Sequence, residues 1–572
     1  MISRKAPKSK FKYIWWGAVV VLLAVGATIG PGYLRNVFFD GFSERTNEPV
    51  LAFFDTEHPS VSSAPANISH YTLYWKNTSV RFNEKRLAAA MNNGGVLITI
   101  ETWLKNYAGG GDTGNPLEAT VNGKFDHNIA ALGSLIAKSK YIVYVRWNPD
   151  MEVPVSQYPW QFRSPGQYIA AFNYVASRLK KIAPLVKIVW GPSGFPGDTE
   201  FWPGLQTVDM VSITLGSFSE MSSDAYPYIS KLPQMLALKL HRMRFIKKPV
   251  MIIGAEASRA TTFDSNWLKQ QYALRQQYIN TAYSAQNYVK DTVNKPRRDK
   301  LSVGVFDPNS RLLHDPNVTV EHIFTDWGEI ERGEFITKFN AIIARRHAAV
   351  VTMEPWRDTS KVADVNVLQS TINGRYDALI KKLYSVISNC GQTVYLRFAH
   401  EMEIPIHRYA WQSQNPLTYI NAYRYFMLFD NKTHAKNIKR VWGPAGDRGS
   451  ADWWPGSDVV DFISIAIYGL PDKNITDPNK QEPFSTIFNR KFYRMRFFDR
   501  PLFITEFGVK GPENYQRNWL KGAAATLNLN PAVFGICYFN LYDNPKAWGH
   551  IKAPDWSISR QNMAFFCKEV NK

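Results

Sequence analysis

Two glutamates stand where short apolar runs end. Val394-Tyr-Leu-Arg-Phe-Ala-His-Glu401 places one carboxyl directly after a histidine, and Leu502-Phe-Ile-Thr-Glu506-Phe-Gly508 places another. A lone glutamate in such a position is usually a salt-bridge partner. Two of them across one cleft can divide an acid–base task. One, protonated, gives its proton to a leaving oxygen, while the other attacks carbon or activates water. That is the chemistry of glycosidic-bond cleavage, and it requires elements that bring both carboxyls to a single mouth.

The second half of the chain contains such elements. Apolar runs near 303–306, 321–325, 349–354, 393–399, 438–442, 459–467, 501–506 and 533–540 alternate with longer amphipathic stretches. Apolar runs bounded by turns read as buried parallel strands joined by crossover helices. Eight such units within about 250 residues suit a (β/α)₈ barrel, whose carboxyl strand ends face the active site. A doubly wound sheet shares the alternation. In a barrel, Glu401 ends strand four and Glu506 lies on strand seven.

The first half repeats this pattern. Leu51-Ala-Phe-Phe-Asp55 returns as Val303-Gly-Val-Phe-Asp307, Trp75 as Trp327, and Arg146–Pro154 as Arg397–Pro405. Trp190-Gly-Pro192 matches Trp442-Gly-Pro444, and Arg242-Met-Arg-Phe245 matches Arg494-Met-Arg-Phe497. A nearly constant offset close to 252 reads as an internal repeat. The fold expected is therefore α/β, two tandem (β/α)₈ barrels. The first is degenerate: opposite Val533–Phe539 it has only the polar, helix-like stretch 270–290, so its eighth strand is missing, displaced or unrecognisable.

The second copy resembles glycoside hydrolase family 26, the β-mannanase and related β-glucanase group of retaining (β/α)₈ enzymes. The likeness rests on Glu354-Pro-Trp356, Arg397-Phe-Ala-His-Glu-Met402, Val441-Trp-Gly-Pro444, Trp454-Pro-Gly456, Val460-Asp-Phe-Ile-Ser464 with Tyr468-Gly469, and Ile504-Thr-Glu-Phe-Gly508. The resemblance implies Glu401 as acid/base and Glu506 as nucleophile, with His400 shaping the acid/base site and Tyr468 hydrogen-bonding the nucleophile. The family's mannanases usually carry Asn-Gly and an aromatic soon after the acid/base. Here Glu403-Ile-Pro-Ile406 follows, so the region that grips the sugar beside the scissile bond is altered and the resemblance does not fix mannan as the substrate.

The repeat also serves as an internal control. Glu401 lies opposite Asp150, His400 opposite Pro149, Tyr468 opposite Gly216 and Glu506 opposite Gly254, so the first copy lacks the pair and reads as non-catalytic. Residues kept in both copies, such as Glu101/Glu354 and Arg146/Arg397, are expected to support the fold through an ion pair or hydrogen bond. Trp356 and Trp411 are candidate sugar platforms although each has a counterpart. Trp548, after strand eight, has none and is the better candidate.

Composition bounds the rest. Arg4, Lys5, Lys8, Lys10 and Lys12 precede an uncharged apolar run beginning at Tyr13. This reads as a cytoplasmic tail (1–12), a transmembrane anchor (13–33) and a linker (34–48), placing the remainder outside the cytoplasm. A cleaved signal peptide is the alternative. The degenerate barrel would then occupy 49–297 and the catalytic barrel 298–572. Three cysteines without a CxxC pair, Cys390, Cys537 and Cys567, argue against a disulfide framework or a zinc site. No phosphate-cradling glycine pattern is present, so neither metal nor cofactor is expected. The net charge of +20 comes without a nucleic-acid-binding motif, so nucleic acid is not an expected partner. The expected function is a membrane-anchored, retaining endo-β-glycosidase acting on an extracellular or cell-envelope β-linked polysaccharide, beside synthase or export proteins. The alternative is a non-catalytic glycan-binding scaffold of such an assembly.

Overall fold

The computed structural model describes residues 44–46 and most of 50–572. Outside the description lie 1–43, 47–49, 56–61, 64–67, 77–82, 105–113, 155–157, 162, 216–231, 255–289, 291–292, 357–363, 406–407, 413–414, 430–434, 470–481, 546–547, 549, 551 and 571. The basic tail, the anchor at 13–33, Gly216 and all but the last residue of the stretch 270–290 thus fall outside the described residues. Among the described residues no helix is long and apolar enough to cross a membrane. The chain separates into two compact units, the first drawn mainly from residues up to 276 and the second mainly from 277 to 572.

In the first unit the described strands are β1 (Glu44–Thr46), β2 (Val50–Phe54), β3 (Ser62–Ser63), β4 (Ile68–Trp75), β5 (Gly95–Thr102), β6 (Val143–Trp147), β7 (Lys187–Trp190), β8 (Met210–Leu215) and β9 (Val250–Gly254). Strands β4 to β9 pair in sequence order, all parallel, and form an open arc. The arc is flanked by antiparallel strands, β1 on β4 and β2 on β9.

The second unit contains β10 (Ser302–Phe306), β11 (Val320–Asp326), β12 (Ala348–Glu354), β13 (Val394–Phe398), β14 (Ile438–Trp442), β15 (Phe462–Ile463), β16 (Ala466–Gly469), β17 (Leu502–Val509) and β18 (Val533–Phe539). Their pairing is parallel throughout, and β10 meets β18 from Ser302↔Gly535 to Phe306↔Phe539, which closes an eight-stranded barrel. The sixth strand comes in two pieces. β15 bonds β14 and β17, and β16 continues along β17 from Ala466↔Glu506 to Gly469↔Val509. Closure follows from composition: Val, Ile, Leu and Phe fill both faces of these strands, and helices cover the outside. Asn415 caps the helix Pro416–Met427 by accepting from the Leu417 amide, with proline at its first position.

The matched segments 51–55 and 303–307 behave differently. β10 is a parallel member of the closed barrel, whereas β2 runs antiparallel along β9, so the expected equivalence of the two first strands is corrected. The reason is the eighth strand. β18 covers β17, but among the described residues nothing comparable follows β9. The unpaired edge that β9 would present is taken by β2 instead.

Candidate active site

The site is assembled at the carboxyl end of the second unit's barrel. β13 delivers Arg397 to the interior and then turns sharply: Ala399 and Glu401 both have left-handed backbones, at φ 48° and 53°. Non-glycine residues adopt this region at a cost, and persist there only when their surroundings fix them. Here the fixing groups are visible. The Ala399 amide donates to the Met353 carbonyl (3.0 Å) and the Glu401 amide to that of Gly443 (2.8 Å). The Trp411 indole donates to the His400 carbonyl (2.7 Å), and the Gln412 side-chain amide to the Glu401 carbonyl (3.0 Å). A side chain at Gly443 would run into Arg397, so this position must be glycine for the guanidinium to pass.

Glu506, on β17, receives two donors. The Arg397 guanidinium bonds Oε1, and the Tyr468 hydroxyl donates to Oε2 (3.0 Å). Arg397 is itself held by the Thr352 hydroxyl (2.8 Å), which meets His322 Nε2 at 2.8 Å, while His322 Nδ1 lies 3.0 Å from the Thr505 carbonyl. Burial holds His322 far below its ordinary range and so neutral, with Arg397 acting in the same direction. A carbonyl can only accept, so Nδ1 carries the proton and Nε2 accepts from Thr352. The Thr352 oxygen is thereby free to accept from Arg397. The chain His322–Thr352–Arg397–Glu506–Tyr468 is satisfied with every proton in place.

The other carboxyl is treated in the opposite way. Burial pushes Glu401 up to about 8, with the Glu506 and Glu403 carboxylates adding to the rise and Arg408 and Arg397 opposing it. Glu354, at the end of β12, is likewise raised to about 7, chiefly by burial. At neutral pH Glu401 is therefore mainly a protonated acid. Glu506 has donors suited to an anion. Tyr468, pushed well above its usual range by burial and then by the two glutamates, keeps its proton and remains a donor.

Glu401, Glu506, His400, Tyr468 and Trp548 line one cavity of about 700 Å³. His400 is buried against Phe324 and Tyr409 and held neutral, first by burial and then by Arg397. Trp548 is half-buried, its indole donating to Asp543 Oδ2 (3.0 Å). Trp411 is corrected as a sugar platform: it is fully buried beneath the loop, stacked on Tyr409 at 4.6 Å. Trp356 packs edge-on against both rings and is not among the cavity-lining residues.

Several lining residues carried no clear signal in the sequence. Phe306, Phe324 and Phe539 are apolar strand residues whose inward direction becomes visible only in the closed barrel. Asp543 gathers the Trp548 and Trp556 indoles (3.0 and 3.4 Å), and Trp556 in turn lies against Tyr468 at 4.7 Å. An acid between a strand end and a tryptophan-bearing loop was the available cue. Among the described residues no group of three or more His, Cys, Asp or Glu could hold a metal ion.

A barrel with two carboxyls at its mouth, one a protonated acid and one held between a guanidinium and a hydroxyl, is an arrangement that glycosidic-bond cleavage can use. No family model matches the chain. Two curated relatives are β-1,3-xylanases. TXYA of a Vibrio species is 28% identical over 155 residues, covering 26% of this chain and 30% of that protein. An Alcaligenes relative is 26% identical over 155 residues, covering 26% and 29%. The chain thus spans less than a third of the length of the curated relatives it matches. Similar solved structures include a family 26 β-mannanase of Bacteroides ovatus, with 13% identity, TM-score 0.35 and coverage of 47% of this chain and 88% of that one. GH26C of a Muricauda species has 14% identity, TM-score 0.34 and coverage of 42% and 79%. Both are too distant for residue roles to be carried across. The chain is similar to glycoside hydrolases, and the relatives' names agree with the likeness carried by its motifs.

Proposed function

We propose that the second unit is a retaining endo-β-glycosidase in which Glu401 is the acid/base and Glu506 the nucleophile. The observation carrying this reading is the opposed treatment of the two carboxyls: Glu401 raised to about 8, Glu506 between the Arg397 guanidinium and the Tyr468 hydroxyl. In the first step Glu506 attacks the anomeric carbon as the glycosidic bond breaks, and Glu401 gives its proton to the departing oxygen. In the second, Glu401, now a carboxylate, takes a proton from water, which displaces Glu506 and regenerates the free enzyme. Arg397 and Tyr468 hold Glu506 in place and aim it at the cleft.

Azide rescue tests the assignment. Glu506→Ala should be inactive, and added azide should restore cleavage of an aryl glycoside, giving a glycosyl azide of inverted configuration. Release of an inverted sugar by the unmodified protein would overturn the retaining mechanism. Failure to cut any member of a broad β-glycan panel would favour the glycan-binding scaffold instead.

The curated relatives' names concern β-1,3-xylan, which makes a β-linked polysaccharide the substrate class of choice here. The basic residues before the apolar run at 13–33 support an anchor in the plasma membrane with both units outside, where the substrate would be an envelope or exported glycan made by neighbouring synthase or export proteins. Protease protection of the units in intact cells lacking an outer barrier would refute that orientation.

A further inference from the structure

Among the described residues, the cationic side chains in and beneath the cleft wall other than Arg408 are already paired. Arg397 is bound to Glu506 and Thr352. Arg490 grips Glu482 with two hydrogen bonds (3.0 and 2.8 Å). Lys491 pairs with Asp447 at 3.4 Å and donates to the Ala445 carbonyl at 2.8 Å. Arg408 differs. Its backbone amide is pinned to Gln412 Oε1 (2.9 Å), so its Cα is fixed on the loop that carries Glu401. The residue lines the cleft, its guanidinium lies 5.1 Å over the Tyr409 ring and is partly desolvated there, and among the described residues it meets no hydrogen-bond acceptor.

The carboxyls within electrostatic reach, Glu401, Asp543 and Glu354, favour its charged form without a hydrogen bond to it among the described residues. Glu401 and Glu354 are raised to about 8 and about 7, so both are largely neutral in mildly acidic solution. Asp543 is already committed to two indoles. A guanidinium offers a planar fork that fits a carboxylate with two parallel bonds, and a ring face behind it holds the fork flat. A neutral sugar hydroxyl uses little of this.

We propose that Arg408 binds the carboxylate of a uronic acid residue seated beside Glu401, so that the substrate is an acidic β-linked polysaccharide. The inference rests on the proposed glycosidase site but names its substrate class.

Binding by catalytically impaired protein separates this inference from the proposed activity. Glu401→Gln protein, which keeps the Arg397–Glu506 pair intact, is titrated with matched hexasaccharides, β-1,4-mannuronate against β-1,4-mannose and β-1,4-glucuronate against β-1,4-glucose, at fixed ionic strength. In at least one pair the uronate should bind tenfold or more tightly, and adding Arg408→Gln should bring the ratio close to one. Lys381→Gln, which removes the same charge from an outer helix, should leave the ratio intact and so exclude a general effect of the basic chain. Equal binding in both pairs, or a preference that survives Arg408→Gln, overturns the proposal. Loss of all hydrolysis by the unmodified protein with the binding preference preserved would instead overturn only the proposed reaction.

Discussion

The same arginine sits at the heart of both units and finds a different partner in each. In the second, Arg397 reaches Glu506 on β17. In the first, the position matching Glu506 is Gly254, where a side chain would collide with Leu51 of the antiparallel β2. Arg146 there turns to Asp150, four residues on (3.3 Å), and to the Thr214 hydroxyl (2.6 Å), which itself donates to Asp150 (3.2 Å). Asp150, which the repeat places opposite Glu401, is thus the arginine's partner. Around this exchange much of the local structure is unchanged. Asn148 and Asp150 keep left-handed backbones, the Trp160 indole donates to the Pro149 carbonyl (2.8 Å), and Gly191 still makes room for the arginine. A buried guanidinium needs an anion whether or not the protein needs a nucleophile. The loop geometry is therefore a property of the scaffold, and the chemistry lies in which carboxylate answers the arginine.

The comparison breaks hardest at the nucleophile. Glu506→Ala should lower turnover by roughly 10⁴-fold or more, the scale on which loss of a covalent nucleophile acts, whereas Asp150→Ala should leave steady-state rates nearly unchanged. A large rate loss in Asp150→Ala would show that the first unit contributes to catalysis. Next come the arginines. Arg397→Met strands a buried carboxylate and should cost about 3–5 kcal/mol of the second unit's stability together with most activity. Arg146→Met should destabilise the first unit on a similar scale while kcat holds, as followed by denaturant melts alongside rate measurements.

Glu401→Gln keeps the shape and removes the proton. Polymer hydrolysis should fall by about 10²–10⁴-fold. An aryl glycoside with a good leaving group should suffer far less in the first step, which burst kinetics would reveal. The pH dependence follows with a definite sign. Because Glu401 is raised to about 8, the acid form is lost, and kcat/KM for polymer should fall, as pH rises through that value. Stability runs the same way. A carboxyl with a raised folded pKa favours the folded state fully below its unfolded value, and that contribution is lost as pH climbs towards 8. Glu354, raised to about 7, adds to the same slope. Melting temperatures measured from pH 5 to 8 should decline, and less steeply in Glu401→Gln.

The barrel of the second unit was largely legible because its strands are buried on both faces and so appear as unbroken apolar runs. The run at 438–442 coincides with β14, and that at 533–540 with β18. The run at 459–467 did not reveal that Ser464, bonded to Thr505 at 2.7 Å, interrupts the strand between β15 and β16. Strand direction in the first unit was not legible either. Leu51–Phe54 and Val303–Phe306 have similar patterns, and the edge that β2 pairs with, β9, lies about 200 residues later in the chain. Among site residues, Glu401 and Glu506 announced themselves at the ends of apolar runs, although β17 continues past Glu506 to Val509. The demotion of Arg397 to a supporting ion pair identified its bond type but not its partner, because the link to Glu506 exists only once the barrel closes. Arg408 was invisible because nothing local distinguishes a free guanidinium from a paired one.

The smallest expected effect tests whether the shared loop is scaffold alone. Trp411 and Trp160 make the same bond, an indole donating to the carbonyl just before the acid/base position, and each lies stacked on a tyrosine, Tyr409 at 4.6 Å and Tyr158 at 4.7 Å. Replacing either tryptophan with phenylalanine retains most of the ring and deletes the donor, leaving a buried carbonyl short of a partner at a cost of about 1–3 kcal/mol. Stability should fall comparably in the two variants. Activity should not. In Trp411→Phe the left-handed turn at Glu401 loses one of its fixing bonds, and displacement of a catalytic group by about 1 Å can cost on the order of a hundredfold in rate. In Trp160→Phe the same slackening moves only Asp150, so kcat should stay within about twofold of the unmodified protein. If both variants lose activity equally, the first unit's loop matters to turnover; if neither does, the turn at Glu401 is held by its backbone bonds to Gly443 and Met353 without help from the indole.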